Sequence, residues 1–217
     1  MYLWGLIVTS PKLIVPDQKD LPSIIREILS ARSLKRISDG LPAYKHAGVL
    51  IPLLEEDGVY KVLFTRRTDK VEHHKGQISF PGGSVDEEDR SVEETALREA
   101  REEIGLKTEE VEVLGRIDDA LTLTSKFIVH PFIGLVPYPY DFAINTGEVE
   151  SLIRVPLDIF RPENLEVKRE YVKFEGVTYR SPAYEYNDNL IWGATARIME
   201  NLMDIIGCKL SLPGGSK

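Results

Sequence analysis

Glu99, Glu102 and Glu103 stand at i, i+3 and i+4, a spacing that lines up three carboxylates along one stripe of an α-helix. Like charges so placed each cost roughly a few tenths of a kcal/mol in an isolated helix, so the cluster is unfavourable unless a cation offsets it. Hard oxygen donors of this kind suit Mg²⁺ or Mn²⁺. Taken alone, Glu-x-x-Glu-Glu is more often the pattern of a solvated acidic helix face. Its surroundings tip the balance. Immediately upstream runs GQISFPGG, in which Gly82-Gly83 permits close backbone approach to a ligand and Pro81 stiffens the entry.

Further upstream, Arg66, Arg67, Lys70 and Lys75 form a basic run in an acidic protein. It reads either as a phosphate-binding group or as charge balance at a hairpin end. His73 and His74 are adjacent, so their rings point different ways, and no partner histidine stands at metal-ligand spacing. Contact of His74 with a phosphate or a loop carbonyl is the functional alternative to surface solvation of both rings.

A helix must carry the glutamates. Ser91 with Glu94 three residues later is a capping-box pattern, and Gly105 suits a C-terminal stop. Between them Val92, Ala96, Leu97, Ala100 and Ile104 fall on one arc that faces the core, with the carboxylate stripe beside it. AGVLIPLL (47 to 54) and VYKVLFTR (59 to 66) flank EEDG as a hairpin, and 109 to 117 and 127 to 136 read as further strands. Residues 20 to 38 have helical spacing; 148 to 160 read as a strand running into a helical turn, and 165 to 186 as a hairpin turning at FEGV. The stretch 187 to 207 reads as a final helix with Ile191, Thr195, Ile198, Leu202 and Ile206 on one face. Trp192 is expected as a core residue of that helix, with stacking on an adenine as the alternative. The fold class is α/β (α+β): a mixed sheet with helices on both faces, without regular βαβ alternation.

The chain of 217 residues suits one sizeable core. A net charge of -8 argues against polymeric nucleic acid, because binding a duplex draws on many Lys and Arg. Cys208 is the single cysteine, which rules out an intrachain disulfide and fits a cytoplasmic location. The apolar opening MYLWGLIVTSPKLIVP lacks a basic leader and is broken by prolines, so it is read as a strand or packing arm and no membrane attachment is expected.

The string GGSVDEEDRSVEETALREAREEIGL resembles the Nudix box, G-x5-E-x7-R-E-U-x-E-E-x-G-U with U apolar. Arg98, Glu99, Ala100, Glu102, Glu103, Gly105 and Leu106 fit its second half position by position. Asp89 takes the acidic position of the first half, with eight residues before Arg98 where the pattern has seven. That insertion, the TALREA string and the upstream LFTRRTDKVEHHKGQISFPGG resemble the coenzyme A diphosphatase branch. Thr65, Arg67, Gly76, Phe80, Pro81, Gly82 and Gly83 match; Phe64, Thr68 and Glu72 depart, and Glu72 reverses the charge of an arginine.

The resemblance spans roughly residues 44 to 205. It implies a single Nudix domain, an α/β/α sandwich, with residues 1–43 as an N-terminal extension, 44–205 as the core and 206–217 as a tail. It further implies hydrolysis of a P–O–P bridge with Mg²⁺ or Mn²⁺ neutralising the diphosphate and activating water. Glu99 and Glu103 would be the main ligands, Glu102 a further one, and Arg98 would orient Glu99. The base would be a box glutamate or Glu148 of NTGEVE; Arg66, Arg67, His74, Gly82 and Gly83 would bind substrate. The implied substrate is a small nucleotide-like molecule, coenzyme A or an acyl derivative, cut to 3′,5′-ADP and a phosphopantetheine. Alternatives are ADP-ribose, a dinucleotide or a nucleoside triphosphate, or a non-catalytic nucleotide-binding module; a homodimer is left open.

Overall fold

The computed structural model describes residues 20–37, 44–69, 76–122, 125–162, 170–174 and 177–207. Helix α1 (Leu21–Ala31) is followed by strands β1 (Lys45–Glu56), β2 (Val59–Arg67), β3 (Ile78–Ser79) and β4 (Gly82–Ser84), and then helix α2 (Val92–Ile104). Strands β5 (Glu112–Arg116), β6 (Ala120–Thr122), β7 (Phe127–Leu135) and β8 (Val149–Pro156) complete the main sheet. Two small hairpins, β9 (Glu170–Phe174) with β10 (Val177–Ser181) and β11 (Tyr184–Tyr186) with β12 (Asn189–Ile191), precede helix α3 (Gly193–Gly207).

The expected mixed sheet is present: β1 pairs in parallel with β7, and every other pairing in it is antiparallel. Alternation along the central strands divides the core by face. Leu50, Leu54, Leu63 and Phe132 meet Ala96, Ala100 and Ile104 of α2 on one side. Ile51, Leu53, Val62, Phe64 and Ile133 meet Ile25 and Ile28 of α1 and Met199 and Leu202 of α3 on the other.

The site is positioned by a defect in the sheet. Strands β1 and β2 turn through Asp57 and Gly58 at φ 54° and 74°, the positive values a tight two-residue hairpin requires. They pair only from Leu53–Glu56 to Val59–Val62 and then splay. Into the gap run β3, which continues the ladder on β2, and β4, which continues it on β1. Gly82-Gly83 is thereby threaded against β1, and a Cβ on Gly82 would stand 2.5 Å from the Gly48 carbonyl oxygen. Gly48 performs the same service for α2, since its Cβ would lie 2.3 Å from Val92 O and 2.9 Å from Ala96 N. Those are backbone atoms that cannot step aside. Gly48→Ala is therefore expected to lift the helix from the sheet and cost about 3 kcal/mol, lowering Tm by roughly 6–12 °C in a thermal melt.

Helix α2 begins and ends as its sequence dictates. Ser91 Oγ accepts from Glu94 N at 3.1 Å, and Gly105 closes the helix at φ 69°. The reciprocal half of the box is shifted by one residue, as the Glu94 carboxylate takes Arg90 N at 2.7 Å.

Two expected elements change. The N-terminal helix stops at Ala31, short of residue 38, because tertiary partners capture the next backbone groups: Asp118 accepts Lys35 N at 2.9 Å and Asp119 accepts Ile37 N at 3.0 Å. The final helix starts at Gly193 and leaves Ile191 in β12, because Asn187-Asp188 adopts positive φ at both positions and makes a hairpin of 184–191. The apolar opening segment and Cys208 lie outside the described residues. Among the described residues no helix is long and apolar enough to cross a membrane.

Candidate active site

The carboxylate stripe expected beside the buried arc of α2 is graded by depth. The Glu102 side chain is half exposed, that of Glu99 is 17% exposed and that of Glu103 only 5%. Glu103 therefore belongs to the buried face together with Thr95, Ala96, Ala100 and Ile104, while Val92 and Leu97 pack at the margin. Helical spacing could not show this, because what covers Glu103 is β4 and β2 rather than anything on the helix itself.

Arg98 organises the group. Its Nε and Nη2 donate to the two oxygens of Asp89 at 2.9 and 3.0 Å, and its Nη1 reaches Glu99 Oε1 at 2.9 Å and Glu102 Oε2 at 3.3 Å. Asp89 also accepts Asp86 N at 2.9 Å and Thr95 Oγ1 at 2.8 Å. These bonds, the Arg98 pair foremost, hold the Asp89 carboxyl well below the usual carboxylate range. The bidentate pair fixes the plane of the guanidinium, so Glu99 is presented by a braced arginine. Asp89 stood out in the sequence only as a box position; its bracing role required coordinates. Asp89→Asn leaves Arg98 partly unpaired, and a loss of about 3 kcal/mol is expected by denaturant titration at neutral pH. Because the Asp89 pKa is depressed on folding, this contribution exists above the ordinary carboxylate range and fades as pH falls below it, so the two proteins should converge in acid.

The deeper pair is strained electrostatically. Burial pushes the Glu103 carboxyl up to about 8, with Glu99 and Glu148 adding to the effect and Arg67 opposing it. Burial likewise raises Glu99, against the pull of Arg98. Arg67 Nη1 lies 3.9 Å from Glu103 Oε1, while Glu103 Oε2 and Arg67 Nε are both buried without a hydrogen-bond partner. Glu148 sits in the adjoining loop, where its Oε1 accepts from Asn145 Nδ2 at 3.2 Å and its carbonyl from Thr68 N at 2.9 Å.

Gly83 faces this group so closely that a Cβ there would come within 2.4 to 2.7 Å of the Glu99 carboxylate. Gly82 and Gly83, with Arg67, also line a cavity of about 460 Å³ whose remaining walls come from β1, β3, β6, β7 and the start of α3. Thus Arg67, Gly82, Gly83, Arg98, Glu99, Glu103 and Glu148 are gathered in one place. Arg66 is not among the cavity-lining residues; its Nη2 donates to Asn189 Oδ1 in β12. His74 lies outside the described residues, as do Lys70, Glu72, His73 and Lys75. Trp192, expected in the core, is 41% exposed and lines the cavity, because it precedes α3 instead of riding on it.

A divalent cation fits these residues. An orphaned carboxylate oxygen and two carboxylates with raised pKa values, one buried and one partly buried, are what a cation would relieve, and Gly83 leaves them room. Among the described residues no three His, Cys, Asp or Glu groups form a closed cluster. Carboxylate oxygens are hard donors, and a divalent cation held by one or two of them would complete its shell with water and substrate oxygens.

Residues 44–174 match the family model described as the NUDIX domain. The chain is 41% identical over 160 residues to the uncharacterized Nudix hydrolase NudL of Yersinia enterocolitica serotype O:8 / biotype 1B, covering 72% of this chain and 79% of the relative. It is 38% identical over 162 residues to its namesake in Yersinia pestis (strain Pestoides F), covering 73% and 78%. A solved MutT/nudix family protein from Enterococcus faecalis superposes with a TM-score of 0.51 at 14% identity, over 87% of this chain and 70% of that one, a likeness of fold alone. With the box on α2, the graded carboxylates and these relatives in agreement, the chain belongs to the Nudix hydrolase family and is a pyrophosphohydrolase.

Proposed function

We propose that the enzyme hydrolyses the pyrophosphate bridge of coenzyme A or an acyl-coenzyme A, releasing 3′,5′-ADP and a phosphopantetheine, with Mg²⁺ or Mn²⁺ as cofactor. The observation that carries the site assignment is the Glu99–Glu103 pair, Glu103 buried and Glu99 partly so, both raised in pKa and one oxygen short of partners, beside Gly83 of β4 at the edge of the cavity. What favours coenzyme A is the Thr65 to Gly83 pattern, of which Phe80 and Pro81 lead into Gly82 and Gly83 of β4.

In this reading Glu99 and Glu103 hold the metal, with Glu102 as a further ligand. When bound, it supplies Lewis acidity toward the diphosphate oxygens and lowers the pKa of water. Arg98, braced by Asp89, keeps Glu99 in position. Arg67, with its unpartnered Nε, offers a charged donor to a phosphate oxygen at the cavity edge. Glu148 takes the proton of the attacking water on the carboxylate oxygen that Asn145 does not occupy. Glu148→Gln is then expected to lower kcat by about a hundredfold or more and leave KM nearly unchanged. Activity at the wild-type level would transfer the base role to a glutamate of α2.

The substrate is tested by mass analysis of products from coenzyme A, dephospho-coenzyme A, ADP-ribose, NADH, diadenosine polyphosphates and dNTPs with either metal. Coenzyme A turning over fastest is the expected result. Fast ADP-ribose cleavage with inert coenzyme A would sink the substrate assignment and leave the hydrolase intact.

A further inference from the structure

The α3 wall of the cavity carries a charge that the chemistry at Glu99 and Glu103 does not use. Arg197 lines the cavity and donates through Nη2 to the carbonyl of Leu121 at 2.6 Å. That partner is neutral. Among the described residues no carboxylate pairs with Arg197 within 4.0 Å, and Glu200, one turn further along α3 and exposed, acts on it only at longer range. Burial works against the guanidinium charge, pulling its pKa down. A half-buried cation on a cavity that apolar Val49, Val129 and Ile198 also line, in a protein of net charge -8, is a costly arrangement unless an anion joins it.

Its placement is firm. Thr195 Oγ1 donates to the carbonyl of Ile78 at 3.2 Å, pinning the first turn of α3 to the strand that leads into Gly82-Gly83. Gly193, at φ 67°, turns the chain between β12 and α3, which leaves Trp192 at the rim with 41% of its surface free. An aromatic face and a fixed guanidinium thus stand on the same cavity as Gly83, whose other side faces Glu99.

We propose that this wall is a specificity subsite for a nucleotide bearing a phosphate monoester separate from the pyrophosphate that is cut. Trp192 stacks on the base and Arg197 pairs with the monoester. The subsite rests on the reading of Glu99 and Glu103 as the pyrophosphate-cutting group, because it assigns another wall of the cavity that Gly83, the glycine against Glu99, also lines. It deepens that reading by naming the feature of the substrate that is read. No bond is made or broken here; the gain is binding and orientation.

Calorimetric titration of the whole protein without metal, using 3′,5′-ADP and 5′-AMP as probes, tests this apart from turnover. Wild type is expected to bind 3′,5′-ADP about tenfold or more tighter than 5′-AMP. In Arg197→Met that ratio should fall toward one, and Arg197→Lys should retain part of it. Trp192→Ala should weaken both probes by about tenfold and preserve the ratio. Equal binding of the two probes by wild type, or a ratio that survives in Arg197→Met, would overturn the subsite. If Arg197→Met does not fold by circular dichroism, Arg197→Gln is read in its place, and the wild-type ratio alone can still refute the proposal. The two readings fail separately. A protein that prefers 3′,5′-ADP yet leaves coenzyme A uncut keeps the subsite and loses the substrate assignment, whereas one that cuts coenzyme A while binding both probes equally does the reverse.

Discussion

Glu103→Gln is expected to lower kcat by about three orders of magnitude while the protein folds at least as well as wild type. The substitution keeps the shape of a side chain that is 5% exposed and removes its charge. Metal-free stability should show a matching signature. The Glu103 pKa rises from an ordinary 4.5 to about 8 on folding, so between those values the folded state binds more protons than the unfolded chain. Stability from this group is present below pH 4.5 and is lost as pH climbs to about 8. Gln has no such proton to lose. Urea titrations should find the two proteins alike in acid and the variant more stable above pH 8, by an amount on the order of 3–5 kcal/mol. Adding Mg²⁺ should stabilise wild type and narrow the gap, because an ion held at the site favours the folded state by mass action. Wild-type activity in the variant, or a stability difference that ignores pH, would remove Glu103 from the metal site.

Gly83→Ala should produce an activity loss of about a hundredfold through shape alone. The added Cβ would fall 2.4 Å from Glu99 Oε1 and 2.5 Å from its Cδ, so one of the two must move. The Glu99 carboxylate is the far end of a flexible side chain and yields more readily than β4, which is hydrogen-bonded to β1. The expected outcome is a normal melting temperature, within roughly 1 kcal/mol of wild type, together with a fall in kcat and weaker metal dependence. The contrast with Gly48→Ala is informative, because there the obstructing atoms are helix backbone and the penalty lands on stability. A Gly83→Ala protein with full activity would show that Glu99 does not need its present position.

Arg98, Glu99, Glu102 and Glu103 could be picked out from type and spacing because a helix repeats every 3.6 residues and its caps are local. Ser91 and Gly105 fixed its ends for the same reason. The paired strands around Asp57-Gly58 were equally plain, since a two-residue turn and alternating burial are short-range properties. Trp192 and the Arg66/Arg67 pair were not. Trp192 left the final helix because Asn187-Asp188 made a hairpin that a helical pattern overlooks. Arg66 and Arg67 are neighbours in sequence, yet one goes to Asn189 and the other to Glu103, since successive side chains of a strand face opposite ways.

By itself, then, the sequence determined the family, the acidic helix and the elements that frame it, because all of these are written in contiguous residues. The tertiary structure decided which glutamate is buried, that Asp89 braces Arg98, and that Gly83 stands against Glu99. It also decided that Arg197 and Trp192 share a cavity with that glycine. The reason is physical: burial, pKa and cavity shape are set by what packs from elsewhere in the chain. For Glu103 the cover is β4 and β2, and for Arg197 it is β6, more than 70 residues away in sequence.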